Sequence, residues 1–360
     1  MKTQNLITST ITAFVAAAGL CGNAIAGTIR HDRSDTQYTN FANQNQFASV
    51  GRLDMRFGNN TFTGCSGTLI SSNWVLTAAH CLENGQQSLA GAGFTIGGRS
   101  YSINLGLQHG GWQGSNRNLA GGVDIGLYRL NSSISNINPA ILYSGTNEDL
   151  QVGSYVGFGN TGNGLSGANS TSFGTKRAGQ NTIGLGSRLG YSNQVLVSDF
   201  DDPRSVNPSD PLTRPLNLEY QLAKGDSGGA LFIGGLLAGI NSFINSFDGN
   251  TDADYGDISA TTRVSSHSNW IQNVIRGMAG TGMLNSLPRT NSNLGPTTLA
   301  QVVLDESETI GDLSQPLEVV KDTWDNSEPV PEPTTVVGGL ISLGGLIVAR
   351  RRRNLAQKQA

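Results

Sequence analysis

Short apolar runs separated by polar turns fill the middle of this chain. Residues 230–240, for example, form two apolar stretches joined at Gly234-Gly235, a pattern typical of a β-hairpin. No long stretch of this region keeps a helical period. The pattern therefore predicts an all-β fold.

Composition supports this prediction and narrows the range of partners. Glycine accounts for 48 of the 360 residues, and charged residues make up only 14%. The formal net charge is -3. A nucleic-acid partner is therefore not expected, because proteins that bind nucleic acid neutralise its phosphates with many Lys and Arg side chains.

The first targeting signal is at the amino end. A basic start and an apolar run lead to Ala24-Ile25-Ala26, a small-x-small cleavage site before Gly27. Cys21 suggests a lipoprotein, but the bulky Leu20 stands where that signal requires a small side chain. We therefore expect residues 1–26 to be a signal peptide and the protein to be exported.

Residues 330–353 form the second targeting signal. Val330-Pro331-Glu332-Pro333 precedes an apolar stretch, 334–349, and then four arginines. This order resembles the PEP-CTERM sorting tail of Gram-negative bacteria. The resemblance implies a membrane helix, an exosortase-type sorting enzyme as partner, and a location at the cell surface, the envelope or the extracellular matrix. Because about sixteen residues fall short of the usual ~20, we expect transient retention and cleavage rather than a permanent anchor.

Residues 278–329 separate this tail from the rest of the chain. They are rich in Asn, Ser, Thr and Gly and include a run of acids from Asp305 to Asp312. This composition is typical of a spacer. A small helix around 299–304 is an alternative for part of it.

Three motifs contain the residue types of a catalytic triad. His80 lies in Thr77-Ala78-Ala79-His80-Cys81, Asp124 lies among apolar residues, and Ser227 lies in Gly225-Asp226-Ser227-Gly228-Gly229. A serine hydroxyl becomes a good nucleophile only when an imidazole takes its proton, and a carboxylate must orient that imidazole. The glycines let the backbone N–H groups of Gly225 and Ser227 approach an oxyanion. The motifs therefore predict a hydrolase that acts through an acyl-enzyme.

The serine motif also fits the nucleophile elbow of α/β-hydrolases. In that fold the acid and the histidine follow the serine, which leaves only Asp257 and His267, within about 40 residues of Ser227. Too few strand–helix units fit into that length. The order His, Asp, Ser instead favours a serine protease.

Residues from about 45 to 277 resemble the trypsin or chymotrypsin family of serine endopeptidases. The resemblance rests on the sequences around Cys65, His80, Asp124 to Leu130, Gly157 to Gly159, and Thr262 to Ile271. It implies a protease domain, 27–277, with two antiparallel six-stranded β-barrels at about 45–140 and 141–265. The active site would lie in the cleft between them. It also implies a disulfide between Cys65 and Cys81, with two reduced core thiols as the alternative.

Helical periodicity is clear once in this domain. From about Ser268 onward, Trp270, Ile271, Val274 and Ile275 fall on one helical face. We expect one C-terminal helix that packs against the second barrel.

The substrate pocket departs from the tryptic pattern. Gln221, six residues before Ser227, is a neutral amide at the position implied to form the pocket base. In the implied wall Ser242-Phe243-Ile244, a bulky Ile stands where a Gly would leave the pocket open. We therefore expect a small or medium apolar side chain on the amino side of the scissile bond, the P1 residue. Asn241 and Gln221 are equally able to bind a polar group.

The segment that would be exposed on activation is a second departure from the family pattern. Many family members pair a newly exposed Ile or Val amine with the acid before the serine, here Asp226. No Ile-Val-Gly-Gly sequence occurs upstream, and signal-peptide removal leaves Gly27 first. Three alternatives stay open: this terminus reaches Asp226, a later cut supplies the amine, or another cation or hydrogen-bond set satisfies the carboxylate.

The sequence thus predicts a secreted or surface-associated serine endopeptidase that acts on proteins or peptides without a metal or an organic cofactor. Residues 248–252 begin like a calcium loop, but Ala253 and Ser259 stand where a glycine and a bidentate acid are required. The rival hypothesis is a catalytically inactive protease-fold binding or matrix protein at the cell surface.

Overall fold

The computed structural model describes residues 27–58, 61–83, 89–169, 173–205, 211–280 and 300–304. The predicted signal peptide, most of the predicted spacer and the predicted sorting tail lie outside the described residues. Within the described ranges, no helix is both long and apolar enough to cross a lipid bilayer.

Strands dominate the fold, as the hydrophobic pattern predicts. In chain order they are β1 Gly27–Ile29, β2 Val50–Phe57, β3 Phe62–Ser71, β4 Trp74–Thr77, β5 Leu89–Ile96, β6 Arg99–His109, β7 Gly126–Leu130, β8 Val152–Gly157, β9 Thr161–Asn163, β10 Gly167–Asn169, β11 Arg177–Thr182, β12 Gly184–Leu185, β13 Val195–Asp199, β14 Tyr220–Gln221, β15 Ala230–Ile233, β16 Leu236–Asn245, β17 Ile258–Arg263 and β18 Ala300–Leu304. The α-helices are α1 Asp35–Ala42, α2 Gly110–Gly114 and α3 Ser268–Gly280.

Six strands of the N-terminal half close into a barrel. Antiparallel pairing follows the order β6-β5-β2-β3-β4-β7. The two end strands of this order, β6 and β7, also pair with each other, which closes the barrel. Leu53, Leu69 and Leu127 are fully buried in its core. The first barrel therefore has the strand number that the resemblance implies.

The C-terminal half is an open sheet rather than the expected second six-stranded barrel. Its strands follow the order β11-β8-β15-β16-β17-β13-β12, and no ladder among the described residues joins β11 to the opposite edge. At this seam the Asn181 side chain donates to the backbone carbonyls of Asp199 and Tyr220. A side chain thus bridges the gap that strand pairing would close, and the sheet is a half-barrel.

A small sheet attaches the segment at Gly27 to the second half. β1 lies between β9, to which it is parallel, and β14, to which it is antiparallel, and β10 pairs with β9. Thr28 is opposite Gln221 in this sheet. Gly27 is therefore held close to the chain that leads to Ser227.

Helix α1 has no counterpart in the sequence prediction. Its start shows a weak local signal, since the Gln37 side chain accepts a hydrogen bond from the Ser34 backbone N–H at 3.3 Å. Asp35 forms a two-pronged ion pair with Arg177 of β11, whose side chain is fully buried. This ion pair ties α1 to the half-barrel.

Helix α3 begins at Ser268, as predicted, and its apolar residues belong to a core cluster that includes residues of both halves, with a direct contact to the first barrel. The Trp270 ring centroid lies 5.0 Å from that of His109 in β6. His267, just before the helix, is 2.8 Å from the carbonyl oxygen of Gly122. Periodicity identifies the apolar face of a helix, but it does not identify the surface that this face covers.

Strand β18 replaces the small helix considered for residues 299–304. It pairs in parallel with β6, with Ala300 opposite Leu105 and Leu304 opposite His109. Two consecutive valines favour this extended conformation. Part of the predicted spacer is therefore attached to the first barrel.

Candidate active site

Paired strands bring His80 and Asp124 into contact. His80 lies in a 3₁₀-helix that follows β4, and Asp124 precedes β7, which pairs with β4. Nδ1 of His80 is 2.7 Å from Oδ2 of Asp124. The His80 backbone N–H donates to Oδ1 of the same carboxylate at 2.9 Å. Both the ring and the main chain of His80 are thus fixed relative to Asp124.

Two residues of the second half hold Asp124 from the other side. Ser242 Oγ donates to Oδ2 of Asp124 at 2.5 Å, and Thr262 Oγ1 donates to its backbone carbonyl at 2.9 Å. The sequence assigned Ser242 only to substrate binding. Its contact with Asp124 spans 118 residues of sequence, so no local motif signals it.

Contact with Asp124 polarises the imidazole of His80. Burial lowers the pKa of His80, but the charge of Asp124 and the hydrogen bond to it outweigh burial, so the pKa is raised above its ordinary value. Burial raises the pKa of Asp124, but the charge of His80 and hydrogen bonds from His80 and Ser242 bring that pKa below its ordinary value. An ionised Asp124 therefore increases the basicity of His80.

We expect the acid limb of the kcat/KM pH profile to report the protonation of the His80 imidazole. The imidazole must be neutral to accept a proton, so activity falls as the pH drops through the raised pKa, above about 6.5. Asp124→Asn removes the charge that raises this pKa. The limb should then move to lower pH, while the maximal rate falls by about 10⁴-fold. Hydrolysis of a peptide ester from about pH 5 to 10 measures both effects, and an unmoved limb would assign the titration to another group.

Ser227 lies, partly exposed, at a cavity of about 400 Å³. Its carbonyl oxygen accepts a hydrogen bond from the Ser66 N–H at 2.8 Å. A Cβ atom on the adjacent Gly228 would lie 2.0 Å from Thr77 Oγ1, so the serine loop packs against the residues that precede His80. Within the described ranges no hydrogen bond joins Ser227 to His80. Such bonds are often long in unliganded sites and shorten when substrate binds.

Two backbone N–H groups beside Ser227 are available to a substrate. Among the described residues, the amides of Gly225 and Ser227 have no hydrogen-bond acceptor. Gly225 has a φ of +99°, and a Cβ atom there would lie 2.6 Å from the Phe173 ring, so glycine is required. The two groups can donate to an oxyanion without displacing another partner.

The cavity contains three of the four residues predicted to bind substrate. Its lining includes Ser242, Phe243, Ile244, Leu222, Ala223 and Asp252. Gln221 is not part of the lining: it is fully buried, and its Oε1 accepts a hydrogen bond from Ser259 Oγ at 2.7 Å. The sequence analysis placed Asp252 only in an incomplete calcium-loop pattern, because long-range packing rather than a local motif brings its loop to the cavity.

Neutral groups satisfy the carboxylate of Asp226. The N–H groups of Ala223 and Gly159 donate to it at 3.0 and 2.9 Å, and Tyr220 Oη is 3.3 Å from each carboxylate oxygen. Burial raises the pKa of Asp226 to about 6, against these hydrogen bonds. In the described part of the chain no cation contacts it. The structure thus contains a hydrogen-bond set for this acid, one of the three alternatives above.

Gly27 lies directly beside Tyr220. It has a φ of +60°, and a Cβ atom at this position would lie 1.9 Å from Cζ and 2.1 Å from Oη of Tyr220. The tyrosine ring therefore fills the space that a side chain at position 27 would need. Its hydroxyl connects the start of β1 with Asp226.

A disulfide anchors the 3₁₀-helix that contains His80. Cys65 of β3 is bonded to Cys81 across a sequence separation of 16 residues. A crosslink of this loop length stabilises a fold by on the order of 3 kcal/mol. It attaches the turn after His80 to the barrel wall.

Comparisons with known proteins identify the family of this chain. The trypsin family matches residues 39–271. Serine protease SP24D of Anopheles gambiae is 26% identical over 220 residues, covering 59% of this chain and 72% of that protein. Trypsin delta of Drosophila melanogaster is 30% identical over 189 residues, covering 50% of this chain and 68% of that protein. The solved structure of HL collagenase, at 20% identity, has a TM-score of 0.49 and covers 70% of this chain and 98% of its own. Because the family match spans more than half of the sequence, the chain belongs to the trypsin family of serine endopeptidases.

Proposed function

We propose that this protein is an exported endopeptidase in which Ser227 is the nucleophile, His80 the base and Asp124 the acid that orients His80. The observation that carries the proposal is the 2.7 Å contact between His80 and Asp124 beside the cavity that contains Ser227. The rival, a catalytically inactive binding or matrix protein, has no need of this contact.

The proposed reaction has two stages. Ser227 Oγ attacks the peptide carbonyl carbon while His80 takes the hydroxyl proton, and the N–H groups of Gly225 and Ser227 stabilise the oxyanion. His80 then gives the proton to the leaving amine, and the acyl-enzyme remains. Water, deprotonated by His80, attacks the ester, and the proton returns to Ser227 as the acid product leaves.

A fluorophosphonate probe tests this proposal, because it reacts covalently with an activated serine. We expect it to label the mature wild-type protein and to leave Ser227→Ala unlabelled. Ser187→Ala is the matched control, since Ser187 is exposed and outside the cavity lining, and it should label as the wild type does. A folded, mature wild-type protein without label would favour the binding or matrix protein.

We also propose that removal of residues 1–26 completes the site. The new ammonium group of Gly27 would lie beside the Tyr220 hydroxyl, which is hydrogen-bonded to Asp226. It would add a positive charge to the neutral hydrogen-bond donors that already satisfy the buried Asp226 carboxylate. Asp226 stands between Gly225 and Ser227, so its position determines where both oxyanion N–H groups lie. Signal-peptide cleavage is then sufficient for maturation.

The proposal for location concerns the predicted tail. Residues 334–349 would hold the exported chain in the membrane with the arginines on the cytoplasmic side, until an exosortase-type enzyme cuts near Pro331-Glu332-Pro333. The resemblance to PEP-CTERM tails supports this step. Because β18 ends at Leu304, the chain from there to Val330 would reach at most about 90 Å. The catalytic domain would act on substrates close to the membrane before release.

A further inference from the structure

Glu83 lies immediately after the 3₁₀-helix that contains His80. Its backbone N–H donates to the carbonyl oxygen of His80 at 3.4 Å and caps that helix. Only 12% of the Glu83 side chain is exposed. A carboxylate that is largely buried needs hydrogen-bond donors around it, and four side chains among the described residues supply them.

All four donors lie in residues 108–117, which we call the α2 segment: Gln108, Trp112, Gln113 and Arg117. Arg117 Nε and Trp112 Nε1 donate to Oε1 of Glu83 at 2.7 and 3.1 Å. Gln108 and Gln113 donate to Oε2 at 3.3 and 3.2 Å. One carboxylate therefore attaches the end of the 3₁₀-helix to the whole α2 segment.

The α2 segment ends in a strained turn. Asn116 has a φ of +53° and Arg117 a φ of +59°, values in the left-handed region that residues other than glycine rarely adopt. Backbone strain of this kind persists only where the surrounding structure fixes it. Because the Arg117 guanidinium is paired with Glu83, the carboxylate helps to hold this turn in its strained form.

The α2 segment leads to Asp124 at one end and contacts the chain before His80 at the other. From Arg117 the chain passes through a short 3₁₀-helix to Asp124. Gln108 Nε2 donates to the carbonyl oxygen of Ala79, the residue before His80, at 2.9 Å. The hydrogen bonds of the carboxylate thus connect the segments that carry the two members of the pair.

The charge of Glu83 also acts on the imidazole of His80. Burial lowers the pKa of His80, whereas the charge of Asp124 and, less strongly, that of Glu83 raise it. Within the described part of the chain, no hydrogen bond joins the Glu83 side chain to the His80 ring. The charge therefore acts through space, and an amide at position 83 would weaken its effect without touching the ring.

We infer that Glu83 is a positioning residue for the proposed catalytic pair: its carboxylate holds the α2 segment so that Asp124 meets the His80 ring in the geometry that proton transfer requires. The inference rests on the proposed protease function. Glu83 lies outside the lining of the cavity at Ser227, so it acts through His80 and Asp124 rather than on the substrate. Its contribution is therefore expected in kcat and not in KM.

Glu83→Gln tests the inference, because it keeps the shape of the side chain and removes its charge. We expect kcat on a peptide p-nitroanilide to fall by about 10- to 10²-fold, the effect of a small misplacement of catalytic groups. KM should change by less than about twofold. The acid limb of the kcat/KM pH profile should move to lower pH, since His80 without the charge of Glu83 stays neutral to lower pH.

Three further variants separate the charge of Glu83 from its hydrogen bonds. Trp112→Phe removes one donor and keeps the charge, so kcat should fall while the acid limb stays in place. Glu83→Asp restores the charge on a shorter side chain, so the limb should return to its wild-type position while kcat recovers only in part. Asp54→Asn is the matched control: it removes an acid from an exposed ion pair with Arg52 on the same barrel, and it should keep the wild-type kcat and limb.

The rate of fluorophosphonate labelling separates positioning from loss of folding. Glu83→Gln should label completely but slowly, because each folded molecule keeps Ser227 and has a misplaced base. A smaller labelled fraction that reacts at the wild-type rate would mean that Glu83 only stabilises the fold, and it would overturn the inference. A wild-type kcat with an unmoved limb would also overturn it. Wild-type protein without label would instead contradict the protease proposal, and the inference with it.

Discussion

Replacing His80 with alanine should lower kcat by a factor on the order of 10⁶ and leave KM nearly unchanged. Without the imidazole, Ser227 loses the base that takes its proton. The buried Asp124 carboxylate loses the contact with the ring but keeps hydrogen bonds from Ser242 and from the backbone N–H of residue 80. Substrate binding depends on the cavity and the strand at Ser242, which this change does not touch. Steady-state hydrolysis of a P1-matched peptide p-nitroanilide measures kcat and KM separately.

The double variant His80→Ala/Ser227→Ala is the control for this result. Residues that act as one catalytic unit show strongly non-additive losses, so the double variant should be no slower than the slower single variant. Multiplicative losses would mean that the two residues act independently, and the triad would then be wrong.

A single alanine left in front of Gly27 should lower kcat/KM by at least about 10²-fold. The added alanine turns the Gly27 ammonium group into a neutral amide. The terminal ammonium group then lies one residue earlier in the chain, away from Asp226. A misplaced Asp226 shifts the N–H groups of Gly225 and Ser227, and loss of one oxyanion donor alone costs about 10²–10³-fold. Fusion proteins cut directly before Gly27 and directly before Ala26 give the matched pair of enzymes for kinetic comparison.

Two readouts distinguish this effect from simple loss of folding. Activity of the Gly27 form should fall at high pH as its amine loses a proton, above the ordinary pKa of about 8, and the extended form should lack this limb. In an Asp226→Asn background the extra alanine should cause no further loss. Equal activity of the two forms would show that the hydrogen bonds from Ala223, Gly159 and Tyr220 are sufficient.

Local patterns were enough to predict the strands and the helix at Ser268. Apolar runs and turn residues depend on neighbours in the sequence, so the all-β character followed from them, whereas the first barrel followed from the family resemblance. The same is true of the contact between His80 and Asp124, since each lies at the end of a strand with a recognisable sequence.

Long-range packing accounts for what the sequence could not predict. The open seam at Asn181, the contact of α3 with His109 and the hydrogen bond from Ser242 to Asp124 each join residues far apart in the chain. Gln221 is a similar case, because the sequence shows its distance from Ser227 but not that its side chain is buried and hydrogen-bonded to Ser259, outside the cavity lining. Asp252 reaches the cavity only because its loop packs there.

The position of the disulfide would make the stability of the barrel that holds His80 depend on the redox state of its compartment. Cys65 and Cys81 crosslink the barrel that holds His80 and Asp124, and the third cysteine, Cys21, belongs to the predicted signal peptide. The half with Ser227 therefore has no cysteine to oxidise. Before the proposed export, in a reducing cytoplasm, the barrel that holds His80 would lack roughly 3 kcal/mol of crosslink stabilisation, out of ~5–15 kcal/mol for a typical domain. Oxidation after export would stabilise the support of the proposed base without altering the proposed nucleophile, so redox state, in addition to the uncut leader, would limit activity against the host's cytoplasmic proteins.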